Sequence, residues 1–290
     1  MISVRIVTDS TADIPAALAS DLGIVVVPCQ VYLDGEVYED GVDLRPEAFY
    51  NRLAASSEMP RTSQPPVSRF LEIYQQLVDG DHIEKVISIH LAGKLSGTLN
   101  AAWAAAQMLP DPSRVEVIDS GQISMGLGWA AIEAARLAHS GVPAAQVSQS
   151  IRALLPRLRT VAMIDDLQSL YKGGRISLLT AALGAALQVK PLLSLQNGEI
   201  SVWGKARTRS RALDQLVAYI RTWGPLLELA VLHTKAEQLA RGLADALRDL
   251  VPSDRMLILP AGSAITTHLS IGAVGVCAMA AAPAMGAVEA

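Results

Sequence analysis

The stretch that decides the fold is Val86-Ile87-Ser88-Ile89-His90-Leu91-Ala92-Gly93-Lys94-Leu95-Ser96-Gly97-Thr98-Leu99-Asn100-Ala101-Ala102. It opens with an apolar run rich in β-branched residues, which is typical of a buried parallel strand. A short Gly/Ser turn follows, and the stretch then continues into alanines that favour a helix. A strand, turn and helix in this order place hydroxyls and backbone N–H groups at the carboxyl edge of a sheet. Open α/β sheets bind ligands at that edge, and helix starts favour anions.

Two hydroxyls of this turn, those of Ser96 and Thr98, are therefore the first candidates for holding a negatively charged group. The alternative is that one of them only caps the helix that follows, which is a common role for both residue types. From this stretch alone, a helix cap is the simpler interpretation. Evidence for an anion site has to come from motifs elsewhere in the sequence.

Composition narrows the class of protein. The chain has 290 residues, of which 51% are hydrophobic and 18% charged, so it can bury a sizeable core and form two domains. The net charge of −4 and an aromatic content of 4% give no case for nucleic-acid binding. Cys29 and Cys277 form no CxxC pair, which favours a reduced, cytoplasmic protein.

Neither a signal peptide nor a membrane span is expected. The first residues have the pattern of a strand followed by a polar loop. Residues 176–189 are uncharged but too few to cross a bilayer. Residues 269–288 are long enough, but they are rich in Gly and Ala and contain Pro283, so we expect a last buried strand and a frayed tail.

The order of the elements predicts an α/β protein with two domains. In residues 1–158, repeated units of strand, polar loop and helix predict a parallel, Rossmann-like sheet covered on both faces, with a helix over residues 144–158 and a rigid loop over residues 59–66. In residues 159–290, the hairpin signal Gln196-Asn197-Gly198 among helices predicts an α+β domain with a mixed or antiparallel sheet.

The sequence lacks the common catalytic motifs. It has no GxSxG elbow, no Walker loop, no dinucleotide fingerprint and no pair of histidines at metal-ligand spacing, so no metal or cofactor is expected. Asp165-Asp166 could bind a divalent ion, but adjacent carboxylates near a helix start more often cap the helix and interact with its dipole.

Several short motifs, none specific alone, together resemble the DegV family of bacterial fatty-acid-binding proteins over nearly the whole chain. Their shared order and spacing carry the resemblance. They are Val7-Thr8-Asp9-Ser10-Thr11-Ala12-Asp13, Arg61-Thr62-Ser63-Gln64-Pro65, Leu95-Ser96-Gly97-Thr98, Val117-Ile118-Asp119-Ser120, Tyr171-Lys172-Gly173-Gly174-Arg175-Ile176, Lys190-Pro191 and Thr267-His268.

The resemblance implies a two-domain fold with one long-chain fatty acid in a tunnel between the domains. Thr62 and Ser96, in the N-terminal domain, match the positions that contact the carboxylate. Arg175 and His268, in the C-terminal domain, belong by the same resemblance to the polar network around the head group, with Thr267 and its neighbour Thr266 beside it. The bound fatty acid would be the ligand, with no cofactor.

The resemblance also implies a binding subunit, not an enzyme. Such a subunit presents the carboxylate to a partner, an ATP-dependent fatty acid kinase, for phosphorylation to an acyl phosphate used in phospholipid metabolism. Two alternatives stay open. One is a serine-dependent acyl hydrolase or transferase with Ser96 as nucleophile and His268 as base, for which no third triad member is evident. The other is a lipid sensor that has no kinase.

Some residues have structural interpretations or depart from the family pattern. His268 could be a satisfied core histidine, and Arg175 could cap a helix end or pair with Asp165 or Asp166. The Ala-rich helix predicted over residues 177–187 could line the tunnel or fill the core. His90 and Lys94 replace smaller residues of the family pattern, and Ser270-Ile271-Gly272 stands where the family often has Gly-Pro-Gly.

Overall fold

A computed structural model describes residues 3–79, 83–165, 167–176 and 189–281 of the chain. The strands in these ranges are β1 (Val4–Asp9), β2 (Val25–Val27), β3 (Gln30–Leu33), β4 (Glu36–Glu39), β5 (Arg61–Ser63), β6 (Lys85–His90), β7 (Val115–Asp119), β8 (Leu158–Met163), β9 (Lys190–Gln196), β10 (Glu199–Ala206), β11 (Leu226–His233), β12 (Met256–Pro260) and β13 (Val274–Ala280).

The α-helices of the same ranges are α1 (Ala16–Asp21), α2 (Pro46–Ala55), α3 (Val67–Val78), α4 (Thr98–Gln107), α5 (Met125–His139), α6 (Ala144–Leu154), α7 (Gln168–Lys172), α8 (Arg209–Arg221), α9 (Glu237–Leu247) and α10 (Ser263–Leu269). The helix predicted over residues 177–187 and residue Asp166 lie outside the described residues.

The first sheet is parallel, with the strand order β2-β1-β6-β7. Val7 of the central strand pairs with Val25 on one side and with Ser88 on the other. The apolar runs of β1 and β6 are buried, because helices cover both faces of a sheet of this kind. The predicted parallel sheet in the first half of the chain is confirmed.

The second sheet is mixed, with the order β10-β9-β8-β13-β11-β12. Its strands pair antiparallel except for β11 and β12, which pair parallel. The hairpin between β9 and β10 turns at Asn197 and Gly198, whose φ angles of 51° and 76° fit the tight turn that Asn-Gly favours. The predicted mixed sheet in the second half is also confirmed.

A small third sheet has the order β4-β3-β5 and is antiparallel. Its strand β5 lies inside residues 59–66, which we predicted to be a loop without a strand. That prediction is wrong because β5 is only three residues long, and its pairing with the distant β3 stabilises it. The pairing sets Thr62 opposite Val31, which is fully buried, so Thr62 faces inward.

Helix α5 lies between the two large sheets. It packs against β1 and β6 on one side and against β8 and β13 on the other, within one apolar core that both halves share. The indole Nε1 of Trp129 donates a hydrogen bond of 3.2 Å to the carbonyl of Cys277 across this core. The division into domains at residues 158 and 159 therefore stays a prediction, although each large sheet falls on one side of it.

Two boundaries in the second half differ from the predictions. The helix predicted over residues 144–158 ends at Leu154, because Pro156 cannot continue it, and Leu158 already begins β8. The strand predicted from residue 269 begins only at Val274, since Leu269 ends α10, and residues 282–290 lie outside the described residues. None of the described helices is long and apolar enough to cross a membrane.

A chain of buried hydrogen bonds joins β1 to β6. The Nδ1 atom of His90 lies 2.9 Å from Oδ2 of Asp9, and its Nε2 atom lies 2.7 Å from Oγ of Ser88. The hydroxyl of Tyr74 lies 2.7 Å from the same Oγ. These side chains are fully buried. His90, which departs from the family pattern, is thus a core residue that pairs with a buried carboxylate.

We expect His90→Leu to lower the free energy of unfolding by about 3 kcal/mol, because the variant leaves the buried Asp9 carboxylate without its imidazole partner. Urea denaturation followed by circular dichroism measures the change. The matched control is Arg221→Ala, which breaks an exposed ion pair with Asp249 and should cost less than about 1 kcal/mol. Equal losses in the two variants would contradict the structural role of the buried pair.

Candidate ligand-binding site

Thr62 and His268, which are far apart in the sequence, meet in the structure. The Oγ1 atom of Thr62 lies 2.8 Å from Nε2 of His268 and forms a hydrogen bond with it. Thr62 comes from β5 and His268 from α10, so the pair joins the first half of the chain to the second. Sequence reasoning linked them only through the family resemblance.

Ser96 stands directly before α4. Its Oγ atom accepts a hydrogen bond of 3.3 Å from the backbone N–H of Thr98 and lies 2.9 Å from the Thr98 hydroxyl. Ser96 thus bonds to the first turn of α4, whose N-cap is Gly97, and it also borders the pocket described below. Its role in holding a negatively charged group stays a prediction. A Cβ on Gly97 would come within 3.0 Å of the Gln64 side chain, so glycine lets Gln64 pack against this turn.

Arg175 bridges the two halves at the same place. Its Nε atom donates a hydrogen bond of 3.3 Å to the carbonyl of Leu95, and its Nη1 atom donates to the carbonyl of Gly173. It does not pair with Asp165, which instead forms ion pairs with Arg209 and, at 3.0 Å, with Lys190. The predicted capping role of Asp165 is thus wrong, because α7 begins at Gln168 without a side-chain cap.

The imidazole of His268 is neutral at physiological pH. Burial, together with the nearby Arg175 charge, lowers the pKa of His268 to about 4. Its Nδ1 atom is buried without a hydrogen-bond partner, and a Cβ on Gly173 would lie 2.7 Å from that atom. His268 is therefore not a satisfied core histidine, and the absence of a side chain at Gly173 leaves room for the ring.

The threonines beside His268 bond to their own helix. Thr267 donates 2.9 Å to the carbonyl of Ser263, and Thr266 donates 3.3 Å to the carbonyl of Ala261. Both residues are buried, and Thr267 also borders the surface cleft next to His268. These bonds fix α10, and the proposed place of Thr267 in the head-group network stays a prediction.

Three spaces follow one another from the surface to the interior. An open cleft of about 1050 Å³ is bordered by Arg61 and Lys172. It shares Thr62, Arg175 and His268 with a pocket of about 140 Å³ that Ser96 also lines.

That pocket in turn shares apolar residues with an apolar cavity of about 60 Å³. The shared residues are Ile123, Ile200, Ile265 and Leu269. The surroundings thus change from charged, through hydroxylic, to hydrocarbon along one path. Sequence reasoning missed Ile265 and Leu269, because it did not predict α10.

The departures from the family pattern leave this path intact. Lys94 forms an exposed ion pair of 2.9 Å with Glu199, another contact between the halves. Ser270 has a φ of 60°, a conformation that glycine adopts more readily, and it directly follows α10. The backbone after His268 therefore takes a conformation that favours glycine although serine stands there.

The arrangement does not form a serine nucleophile with its base. Ser96 bonds to Thr98 and His268 to Thr62, and within the described part of the chain no carboxylate contacts the Nδ1 atom of His268. The buried chain of Ser88, His90 and Asp9 has the order of a catalytic triad, but its members are 0% exposed. Among the described residues no group of His, Cys, Asp or Glu side chains could hold a metal ion.

The fold and the site define a class: α/β proteins with two large sheets, in which a polar mouth at the junction of the halves leads to an apolar interior. The chain belongs to the DegV family. A sequence model described as "Uncharacterised protein, DegV family" matches residues 3–281. A DegV domain-containing protein of Caldanaerobacter subterraneus is 36% identical over 279 residues, which are 95% of this chain and 98% of that protein.

Solved structures of the family share the fold. A DegV family protein from Thermus thermophilus, described as binding fatty acid, has 31% sequence identity and a TM-score of 0.88 over 96% of this chain and 99% of that one. DegV from Bacillus subtilis, described as a fatty acid binding protein, has 31% identity and a TM-score of 0.86 over 97% of this chain and 100% of that one.

We expect the ring signals of His268 to stay constant from about pH 6 to pH 8, because burial and Arg175 hold the pKa of His268 near 4. Two-dimensional NMR of histidine-labelled protein measures the titration, with His268→Asn used for assignment. The ring signals of His139, which is exposed to solvent, serve as the internal comparison for those of His268. A midpoint for His268 near the ordinary histidine value of 6.5 would contradict the described electrostatics.

Proposed function

We propose that this protein binds one long-chain fatty acid and presents its carboxylate to a separate ATP-dependent fatty acid kinase, which converts it to an acyl phosphate. The observation that carries the proposal is the path from the charged cleft, past Thr62 and Ser96, to the apolar cavity. An amphipathic anion needs such a path, since its charge must be paired and its chain kept from water. The fatty-acid binding described for relatives supports it.

The head group would be held mainly by neutral donors. The Ser96 oxygen already accepts the N–H of Thr98, so the hydroxyl hydrogen is available to a carboxylate. If neutral His268 carries its hydrogen on Nε2, it donates to Thr62, whose own hydroxyl hydrogen then also points to the ligand. Arg175 supplies the positive charge, because a guanidinium stays protonated even where burial lowers its pKa.

The acyl chain would supply most of the affinity. At about 0.8 kcal/mol per buried methylene, a chain of roughly fifteen methylenes gains about 12 kcal/mol of gross transfer free energy. Each head-group hydrogen bond adds only about 0.5–3 kcal/mol. Thr62 and Ser96 therefore set the position of the carboxylate, while the apolar lining determines how tightly the molecule is held.

Presentation to a kinase follows from where the carboxylate would sit. Thr62, Arg175 and His268 border both the enclosed pocket and the open cleft, so the carboxylate would face outward while the chain is enclosed. The partner would contribute ATP and the phosphoryl-transfer chemistry. The buried, unpaired thiols of Cys29 and Cys277 support a cytoplasmic location, where such a kinase has its ATP.

Native mass spectrometry of freshly purified protein, followed by solvent extraction, tests the binding. We expect one fatty acid per chain, because Thr62 and Ser96 line one and the same pocket. The loaded protein is then incubated with ATP, alone and with the fatty acid kinase of its host. Phosphorylation only with the kinase supports the carrier, whereas loaded protein that the kinase does not use supports a sensor. Protein that neither contains nor takes up fatty acid contradicts the proposal.

We expect Ser96→Ala to weaken fatty-acid affinity by no more than about tenfold, since it removes one hydrogen bond worth roughly 0.5–1.5 kcal/mol. The rate of phosphorylation by the kinase should fall further, because the carboxylate is no longer held in place. Fluorescence displacement measures the affinity, and labelled ATP measures the rate. Ser140→Ala, at the exposed end of α5, is the control and should change neither.

Loss of nearly all affinity in the Ser96 variant would show that the head group, and not the acyl chain, dominates binding. Labelling of Ser96 by a serine-directed acylating reagent would support the hydrolase alternative instead. Thr62→Val separates these outcomes, since it removes a head-group contact but leaves the Ser96 hydroxyl unchanged.

A further inference from the structure

Two carboxylates from the first half of the chain hold the start of α10. Asp13 accepts a hydrogen bond of 2.8 Å from the backbone N–H of Gly262. Asp40 accepts one of 2.9 Å from the N–H of Ser263. Helix α10 carries His268, Ile265 and Leu269, which line the pocket or the cavity. The two acids therefore position the helix that supplies much of the site.

These two carboxyls lie on either side of Gly262, where Asp13 is half-buried and Asp40 is buried. A Cβ on Gly262 would lie 2.9 Å from Oδ1 of Asp13 and 3.5 Å from each oxygen of Asp40. Asp40 is only 3% exposed, and its Oδ2 atom is buried without a hydrogen-bond partner. Within the described ranges neither carboxyl forms an ion pair. Two neighbouring carboxyls without a cation cannot both ionise at low cost.

The electrostatics agree with this geometry. Burial, with the Asp40 charge adding to it, raises the pKa of Asp13 to about 7. Burial raises the pKa of Asp40 to about 6, although hydrogen bonds from Ser10 and from the start of α10 oppose the rise. At neutral pH the pair is therefore part-protonated, unlike an ordinary pair of aspartates.

The negative charge of the carboxyls lies behind one wall of the pocket that Thr62 and Ser96 line, which we call the head-group pocket. Cys29 and Thr11 both line that pocket. The backbone N–H of Asp40 donates a hydrogen bond of 2.9 Å to the carbonyl of Cys29, so Asp40 lies directly behind this wall. Burial, with the charges of Asp9 and Asp40 adding to it, raises the pKa of the Cys29 thiol. Thr11 donates its hydroxyl to Asp9. An anionic ligand at Thr62 and Ser96 thus adds a negative charge beside the existing ones.

We propose that Asp13 and Asp40 are positioning residues that share a proton, and that binding of an anionic head group at Thr62 and Ser96 draws a proton from solvent onto this pair. The ligand charge rests on the proposed function, whereas the shared proton does not. The proton leaves a hydronium ion or a buffer acid of the solvent and bonds to a carboxyl oxygen of the pair. Affinity for the anion then falls as the pH rises and the pair ionises.

Other titratable groups around the pair do not account for proton uptake at neutral pH. Burial raises the pKa of Tyr50 to about 12 and that of Cys277 to about 11, so both stay protonated, as does the thiol of Cys29. Asp9 is occupied by hydrogen bonds from Thr11, His90 and Leu91. His268 is the competing proton acceptor, and the test has to separate it from the pair.

Calorimetry with dodecanoate, which is monomeric and ionised at micromolar concentration, counts the protons taken up when it is run in two buffers of different ionisation enthalpy. We expect net uptake by the wild-type chain at pH 7 and an affinity about fivefold lower at pH 8 than at pH 6. Asp13→Asn and Asp40→Asn combined should abolish both effects, because asparagine does not titrate, and its one carbonyl oxygen still accepts the backbone N–H at the start of α10. The control is Asp43→Asn, which changes an exposed acid in the loop that also contains Asp40, between β4 and α2. This variant should behave as wild type.

Absence of uptake in the wild type, or uptake that survives in the double variant as it would at His268, overturns the proposal. A second measurement needs no ligand. The pKa of each acid is raised in the folded state, so wild-type stability falls as the pH rises from about 4 to about 7. The thermal midpoint of Asp40→Asn relative to wild type should therefore be higher at pH 8 than at pH 5.

The two measurements separate the two proposals. If the midpoints behave as expected while dodecanoate does not bind, fatty-acid binding fails and the shared proton stands. If dodecanoate binds but neither Asp13→Asn nor Asp40→Asn changes the pH profile of stability, the shared proton fails and fatty-acid binding stands.

Discussion

The carboxylate of Asp9 is the contact on which the rest of the site depends. It is fully buried at the end of β1, and it accepts hydrogen bonds from Thr11, from His90 and from the backbone of Leu91. These donors belong to the polar loop after β1 and to the start of the turn that leads to Ser96. A buried carboxylate is stable only with such a full set of donors, so it fixes where each donor must stand. Through these donors, the Asp9 carboxylate helps to determine where Ser96 lies.

The site separates charge from hydrocarbon by using different parts of the fold. Hydroxyls and the guanidinium come from loops and element ends at the junction of the halves, where the backbone can approach closely. The apolar lining comes from β10, from α10 and from the segment before α5. Loops tolerate polar side chains at no packing cost, whereas a hydrocarbon cavity needs rigid walls to stay open.

The sequence was informative where structure is local. The β-branched runs of β1 and β6 predict the parallel sheet, and Asn197-Gly198 predicts a hairpin, because each signal lies within a few residues. Strand β5 and helix α10 could not be predicted in this way. The first is held by pairing with β3, and the second by the distant carboxylates of Asp13 and Asp40. Since Thr62 and His268 lie on these two elements, only the family resemblance indicated that they belong to one site.

The place of α5 constrains how any molecule could enter. Because this helix is packed against both large sheets and Trp129 is bonded across the core to Cys277, swinging the halves apart would expose the largest apolar interface in the molecule. The contacts across the mouth are weaker, and they include the hydrogen bonds of Arg175 with Leu95 and of Thr62 with His268 and the exposed ion pair of Lys94 with Glu199. Separating the surface loops at the rim therefore costs less free energy than separating the two sheets, so the rim is the part of the junction that opens most readily.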